Sequence, residues 1–130
     1  MTILTDDPTS GVYNIIADQG STLSRTFTWT DSNGSPVNLT GYTARMKVRK
    51  IYPATLLVSA HADSPVISIT SASEITITAL TGTLDVVIPA TTMAAVTPGF
   101  YEYDLEVVSG GGEVTKISRG KFEVRAEATY

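Results

Sequence analysis

At 130 residues, with 42% hydrophobic and 17% charged side chains, the chain has the size of one domain with one core. It is too apolar to be disordered over most of its length and carries less charge than a typical soluble domain. A net charge of −4 argues against a nucleic-acid binder, and the absence of cysteine removes disulfides and thiolate metal sites. No apolar run approaches the roughly 20 residues of a spanning helix, and the start MTILTDDPTSG lacks the basic flank and apolar core of a signal peptide, so no membrane attachment and synthesis in the cytoplasm are expected.

Residues 1–11, with Asp6-Asp7, Pro8 and Gly11, are expected to form an N-terminal arm, and 12–130 a single domain. A first strand over Val12–Ala17 ends at Asp18-Gln19-Gly20. The second, Ser21–Thr30, places Leu23, Arg25, Phe27 and Trp29 on one face and Ser24, Thr26, Thr28 and Thr30 on the other. In the DSNGSP cluster that follows, Asn33-Gly34 is expected to supply the positive φ angles of a tight hairpin. The third strand, Tyr42–Ile51, directs Tyr42, Ala44, Met46 and Val48 inward and Thr43, Arg45, Lys47 and Arg49 outward. Short β-rich runs follow at Leu56–Ala60, Val66–Thr70 and Glu74–Thr78, and Thr83–Ile88 buries Leu84, Val86 and Ile88 before Pro89 stops it.

A helical turn is expected at Thr91–Val96. After Pro98-Gly99 comes the most regular alternation in the chain: Tyr101, Tyr103, Leu105 and Val107 on one face, Phe100, Glu102, Asp104, Glu106 and Val108 on the other. A Tyr just after such a corner anchors Greek-key sandwiches by bonding back to upstream backbone. The closing strands are read as Glu113–Ser118 and Lys121–Arg125. Their inward residues Ile117 and Phe122 have opposite parity, which places a bulge at Gly120. Together these elements predict an all-β, Ig-like Greek-key antiparallel sandwich of about eight or nine strands with one short helical turn. Its predicted core is Phe27, Trp29, Met46, Val48, Leu84, Val86, Tyr103, Leu105 and Phe122.

Arg45, Lys47 and Arg49 form a basic stripe with two readings. They pair across the sheet with Glu102, Asp104 and Glu106, which share their two-residue spacing, or they grip an acidic partner. His61 is the sole histidine and lies in a turn, so no His pair or multi-His metal site can form in one copy. Asp6-Asp7, Asp85 with Glu74, and Glu123 with Glu127 have no spacing that argues for a carboxylate dyad. Neither a G-x-S-x-G elbow nor a phosphate loop is present, and Gly110-Gly111-Gly112 reads as a hairpin tip. No catalytic, cofactor or metal residue is therefore assigned. The candidate interface residues are Ile3 and Leu4 in the arm, with Tyr52, Phe100 and Tyr130.

The polar turn followed by PVNLTGY (Pro36–Tyr42), the basic strand after it, and GFYEYDLE (Gly99–Glu106) with its glycine turn resemble a family of tailed-bacteriophage domains. The resemblance, over about Asp18–Val124, is to the N-terminal domain of baseplate upper proteins and related stand-alone tail or virion proteins. It implies a non-enzymatic attachment protein of the phage particle: a tail, baseplate or adaptor component, or a capsid decoration protein. Such a protein is present in multiple copies or as a homo-oligomer, has other virion proteins as partners, and is located in the virion. The alternative reading is a carbohydrate-binding module that aids adhesion to the host surface.

Overall fold

The computed structural model describes residues 12–51 and 65–127 in full and the backbone of residues 2–4. Alternating apolar residues form strands β1 (Thr2–Leu4), β2 (Ile15–Asp18), β3 (Leu23–Thr30), β4 (Thr43–Lys50), β5 (Ile67–Thr70), β6 (Ile75–Thr78), β7 (Thr83–Ile88), β8 (Gly99–Val108) and β9 (Val114–Arg125). A 3₁₀ turn (Ala79–Thr81) and one short helix, α1 (Ala90–Ala94), complete the order. One sheet runs β1-β3-β7-β6 and the other β2-β9-β8-β4-β5. All pairings are antiparallel except β2 on β9, which is parallel. The result is an Ig-like Greek-key β-sandwich. The expected run Leu56–Ala60, with His61, Tyr52 and Tyr130, lies outside the described residues.

All nine expected core residues are buried between the sheets, because each strand turns every second side chain inward. Each such apolar side chain contributes about 1.5–3 kcal/mol on leaving water. Arg25 departs from the expected face: it is only half-buried, and its guanidinium donates to the carbonyls of Ser24 (2.8 Å) and Ile16 (3.3 Å) at the margin of the sandwich. A long stem lets the charge leave an apolar register position for polar partners. Backbone pairing of Thr2–Leu4 with Thr28–Thr30 makes an edge strand of part of the expected arm.

The turn after β3 also differs from expectation. Only Gly34 has positive φ (+82°), and no non-glycine residue does among those described. The Gly34 amide donates to the Asp31 carbonyl (3.0 Å), and the Asp31 carboxylate accepts from the amides of Asn33 (2.9 Å) and Ser35 (3.0 Å). An aspartate-capped turn ending in one left-handed glycine therefore replaces the turn with two positive angles. The corner into β8 follows expectation: Tyr101 Oη donates to the Thr97 carbonyl at 2.6 Å, and Met93 of α1 plugs that end of the core.

The bulge is not at Gly120. β9 is one continuous strand whose register against β8 shifts between Leu105, opposite Ser118, and Glu106, opposite Lys116. Ile117 is the extra residue, and Ile117 and Ser118 are both buried. Opposite parity at Ile117 and Phe122 requires one insertion somewhere between them, and the site is chosen where the inward polar group finds partners. Ser118 Oγ lies 2.9 Å from Tyr103 Oη, which donates to the Tyr13 carbonyl at 2.5 Å. Gly120 sits in regular register opposite Tyr103.

Burial pushes the Tyr103 hydroxyl from its ordinary 10.0 up to about 12, outweighing the Ser118 hydrogen bond, which pulls it down. A folded value above the unfolded one stabilises the domain fully below about pH 10, and that contribution is lost as pH rises through about 12. Tyr103→Phe should lower stability by about 1–3 kcal/mol at neutral pH, since the Tyr13 carbonyl loses its donor and the Ser118 hydroxyl its acceptor. It should also remove this part of the alkaline destabilisation. Urea melts at pH 7 and above pH 10 check both; an unchanged alkaline profile in the variant would refute the assignment.

Candidate functional site

The outward residues of β4, β8 and β9 stand in three rows set by the strand registers. Arg45 faces Glu106, which faces Lys116; Lys47 faces Asp104, which faces Arg119; Arg49 faces Glu102, which faces Lys121. Rows two residues apart along a strand are separated by about 6.8 Å, and the two cationic columns, two strands apart, by about 9.5 Å. A carboxylate column therefore runs between two basic rails. A shallow, open hollow of about 940 Å³ lies over this face, with Lys47, Asp104, Arg119 and Lys121 among its lining residues.

Ion pairing is uneven across the rows. Lys116 Nζ reaches Asp104 Oδ2 (2.9 Å) and Glu106 Oε2 (3.1 Å), and Arg45 Nε pairs with Glu106 Oε1. Glu106 is the most enclosed of these carboxylates, its side chain 14% exposed. Burial works against its charge, yet hydrogen bonds from Arg45 and Lys116 and their positive charges hold the carboxyl below its ordinary value. This contribution is present above the ordinary carboxylate pKa and fades as pH falls through the lowered one. Lys116 is held protonated in the same way: burial opposes its charge, and hydrogen bonds to Asp104 and Glu106 outweigh it. The exposed Lys47, Arg119 and Lys121 make no ion pair among the described residues.

The expected ladder between β4 and β8 is therefore present in register, and a third column outnumbers its acids. Six cations against three carboxylates give these three rows +3. The other three cations and ten acids leave the rest of the chain at −7, for the total of −4. Lys116, Arg119 and Lys121 escaped sequence reasoning because a bulge at Gly120 divides them between two strands. With the insertion at Ile117 they share one face, and the spacing K-I-S-R-G-K is the trace of it.

Of the candidate interface residues, Phe100 is 68% exposed on this same face, beside Glu102 and opposite Glu123. Ile3 and Leu4 are placed by backbone only, on the edge of the other sheet, while Tyr52 and Tyr130 lie outside the described residues. Asp85 accepts a hydrogen bond from Thr26 Oγ1 (2.6 Å), and Glu123 pairs with Arg125 (3.2 Å). Among the described residues no group of three or more His, Cys, Asp or Glu side chains could hold a metal ion.

The chain matches no protein-family model and no curated protein. Solved structures similar to it include the soluble domain of PmoD from Methylocystis sp. ATCC 49242, at TM-score 0.48 and 11% identity, covering 86% of this chain and 77% of that one. CopC from Methylosinus trichosporium OB3b is similar at TM-score 0.46 and 14% identity, covering 94% of this chain and 92% of that one. Neither is a phage virion protein. Likeness at this level lends this chain no ligand or role.

These findings correct the tailed-phage resemblance and everything drawn from it: the virion attachment function, virion partners and multi-copy assembly, and the location in the virion. The motifs behind it are a glycine turn, a basic strand and a tyrosine corner, features that the geometry of an Ig-like sandwich produces without common descent. The carbohydrate-binding alternative falls as well. Phe100 is the one exposed aromatic side chain among the described residues, and one ring does not make a stacking groove.

Proposed function

We propose that this protein is a non-enzymatic interaction module that recognises an acidic protein partner through the outer face of its five-stranded sheet. The carrying observation is the three-row grid, in which Lys47, Arg119 and Lys121 are left without an ion pair among the described residues. Charges so arranged steer an oppositely charged partner and set its register more than they add raw affinity. The central carboxylates favour a protein over a nucleic acid. A phosphate backbone lying along the face would run over Glu102, Asp104 and Glu106, whereas separate carboxylates of a protein surface can straddle that column and reach the two rails, about 9.5 Å apart.

Binding of fluorescent poly-L-glutamate is the direct test. Affinity should fall steeply between about 0.01 and 0.15 M salt, as the Debye length shrinks from about 30 to about 8 Å. The double neutralisation Lys47→Gln and Arg119→Gln should weaken binding at least about tenfold, while stability stays within about 0.5 kcal/mol because both sites are exposed and make no ion pair among the described residues. Salt-independent binding, or tighter binding of a single-stranded oligonucleotide of equal charge, would overturn the proposal.

A further inference from the structure

One row beyond Arg49, Glu102 and Lys121, the same face changes character. Phe100 pairs with Glu123, and Glu123 with Ile16 across the parallel β2. On the other side, Ile51 follows Lys50, which pairs with Tyr101, and so stands beside Phe100. Ile51, Phe100 and Ile16 are 42%, 68% and 47% exposed. One large apolar residue on a surface is ordinary, but Ile51 and Phe100 stand side by side at the end of a cationic grid and form an apolar patch abutting charge, with Glu123 between Phe100 and Ile16. An aromatic anchor beside charged neighbours is also how interfaces concentrate their binding energy.

Resting on the charged-face reading, we infer that the occupant is an extended segment of the acidic partner, with carboxylates at every second residue and a large apolar side chain at the end that meets Phe100. The spacing follows from the sheet. Four rungs lie along β4 and β8, and a strand-like peptide laid over them, its flexible acidic side chains leaning to the rails on either side of the carboxylate column, advances about 3.3 Å per residue, so side chains facing the grid recur every two residues. Carboxylates at the Lys47 and Arg49 rungs meet Lys47, Arg119 and Lys121, which make no ion pair among the described residues, the one at the Arg45 rung joins the pairs that Arg45 and Lys116 already make with Glu106, and the fourth facing position falls on Phe100 and Ile51. Glu123 on that rung is paired with Arg125, so it offers no free charge against an apolar group.

Anisotropy titrations with labelled peptides of alternating Glu and Ser test this, one ending in Trp at either end and one ending in Ser. A Trp-ended peptide should bind about tenfold tighter than the Ser-ended one. Phe100→Ser should erase that advantage and leave the Ser-ended peptide unchanged, and Ile51→Ser should erode it in the same direction. Equal affinities for the peptides, or an equal loss for both in Phe100→Ser, would overturn the anchor while leaving the charged-face reading intact. Failure of every peptide to bind the folded chain at low salt would overturn both.

Discussion

Replacing Trp29 by alanine should lower the unfolding free energy by about 3–5 kcal/mol, a large share of the roughly 5–15 kcal/mol that holds a domain together. The ring is 3% exposed and meets Tyr42 edge-on, with centroids 6.1 Å apart at 84°. The backbone of this residue is fixed as well: its amide donates to the Gly82 carbonyl and its carbonyl accepts from Val37, both at 2.9 Å. Gly82 lies against the same carbonyl, so the cavity left by truncation is walled by tied backbone that cannot readily collapse. The indole Nε1 is buried without a hydrogen-bond partner among the described residues. Trp29→Phe should therefore cost distinctly less than Trp29→Ala, since it keeps a ring and removes an unsatisfied donor. Urea denaturation of the two variants checks this, and an unchanged midpoint in Trp29→Ala would mean that β3 does not face the core as described.

A single methyl group at Gly120 should cost about 3 kcal/mol, beyond the roughly 0.5 kcal/mol of an ordinary surface change. Gly120 needs no unusual backbone angle; it needs space. A Cβ there would stand 2.5 Å from the Tyr13 carbonyl oxygen and 2.8 Å from Asn14 Oδ1. Both atoms are engaged: the Tyr13 carbonyl accepts from Tyr103, and Asn14 Oδ1 accepts from the Lys121 amide at 3.0 Å. Relief requires the 13–14 segment to move outward, which also strains the Tyr13 amide bond to the Arg119 carbonyl (2.8 Å). Gly120→Ala should thus loosen the parallel β2 strand from β9 before the rest of the sandwich opens. Hydrogen exchange should show faster amides in β2 with the β3 to β7 pairing still protected. Native protection throughout both sheets would contradict the close approach.

Strand content and the inner faces were legible because they depend on alternation within each strand. Tyr103, Leu105 and Val107 in β8 and Met46 and Val48 in β4 could face only the core once their neighbours were charged. The tyrosine corner was legible for a similar reason, since a Pro-Gly step before an alternating strand leaves the phenol within reach of the chain just behind it. Arg45 opposite Glu106 could be read from matched spacing once the two strands were placed side by side.

What joins one strand to another was not legible. The bulge at Ile117 depends on Tyr103 and Tyr13, residues distant in sequence that give Ser118 a reason to turn inward. Moving that insertion from Gly120 to Ile117 brings Lys116, Arg119 and Lys121 into one column and converts a balanced ladder into three rows that sum to +3. The neighbouring apolar side chains Ile51 and Phe100 are likewise brought together by the pairing of β4 with β8. Alternation is a local property with a period of two, so the chain alone determined which side each residue faces within its strand. Register is a long-range property set by turns, bulges and the partners of buried polar groups, and only the tertiary structure decided which charges and apolar groups share the surface.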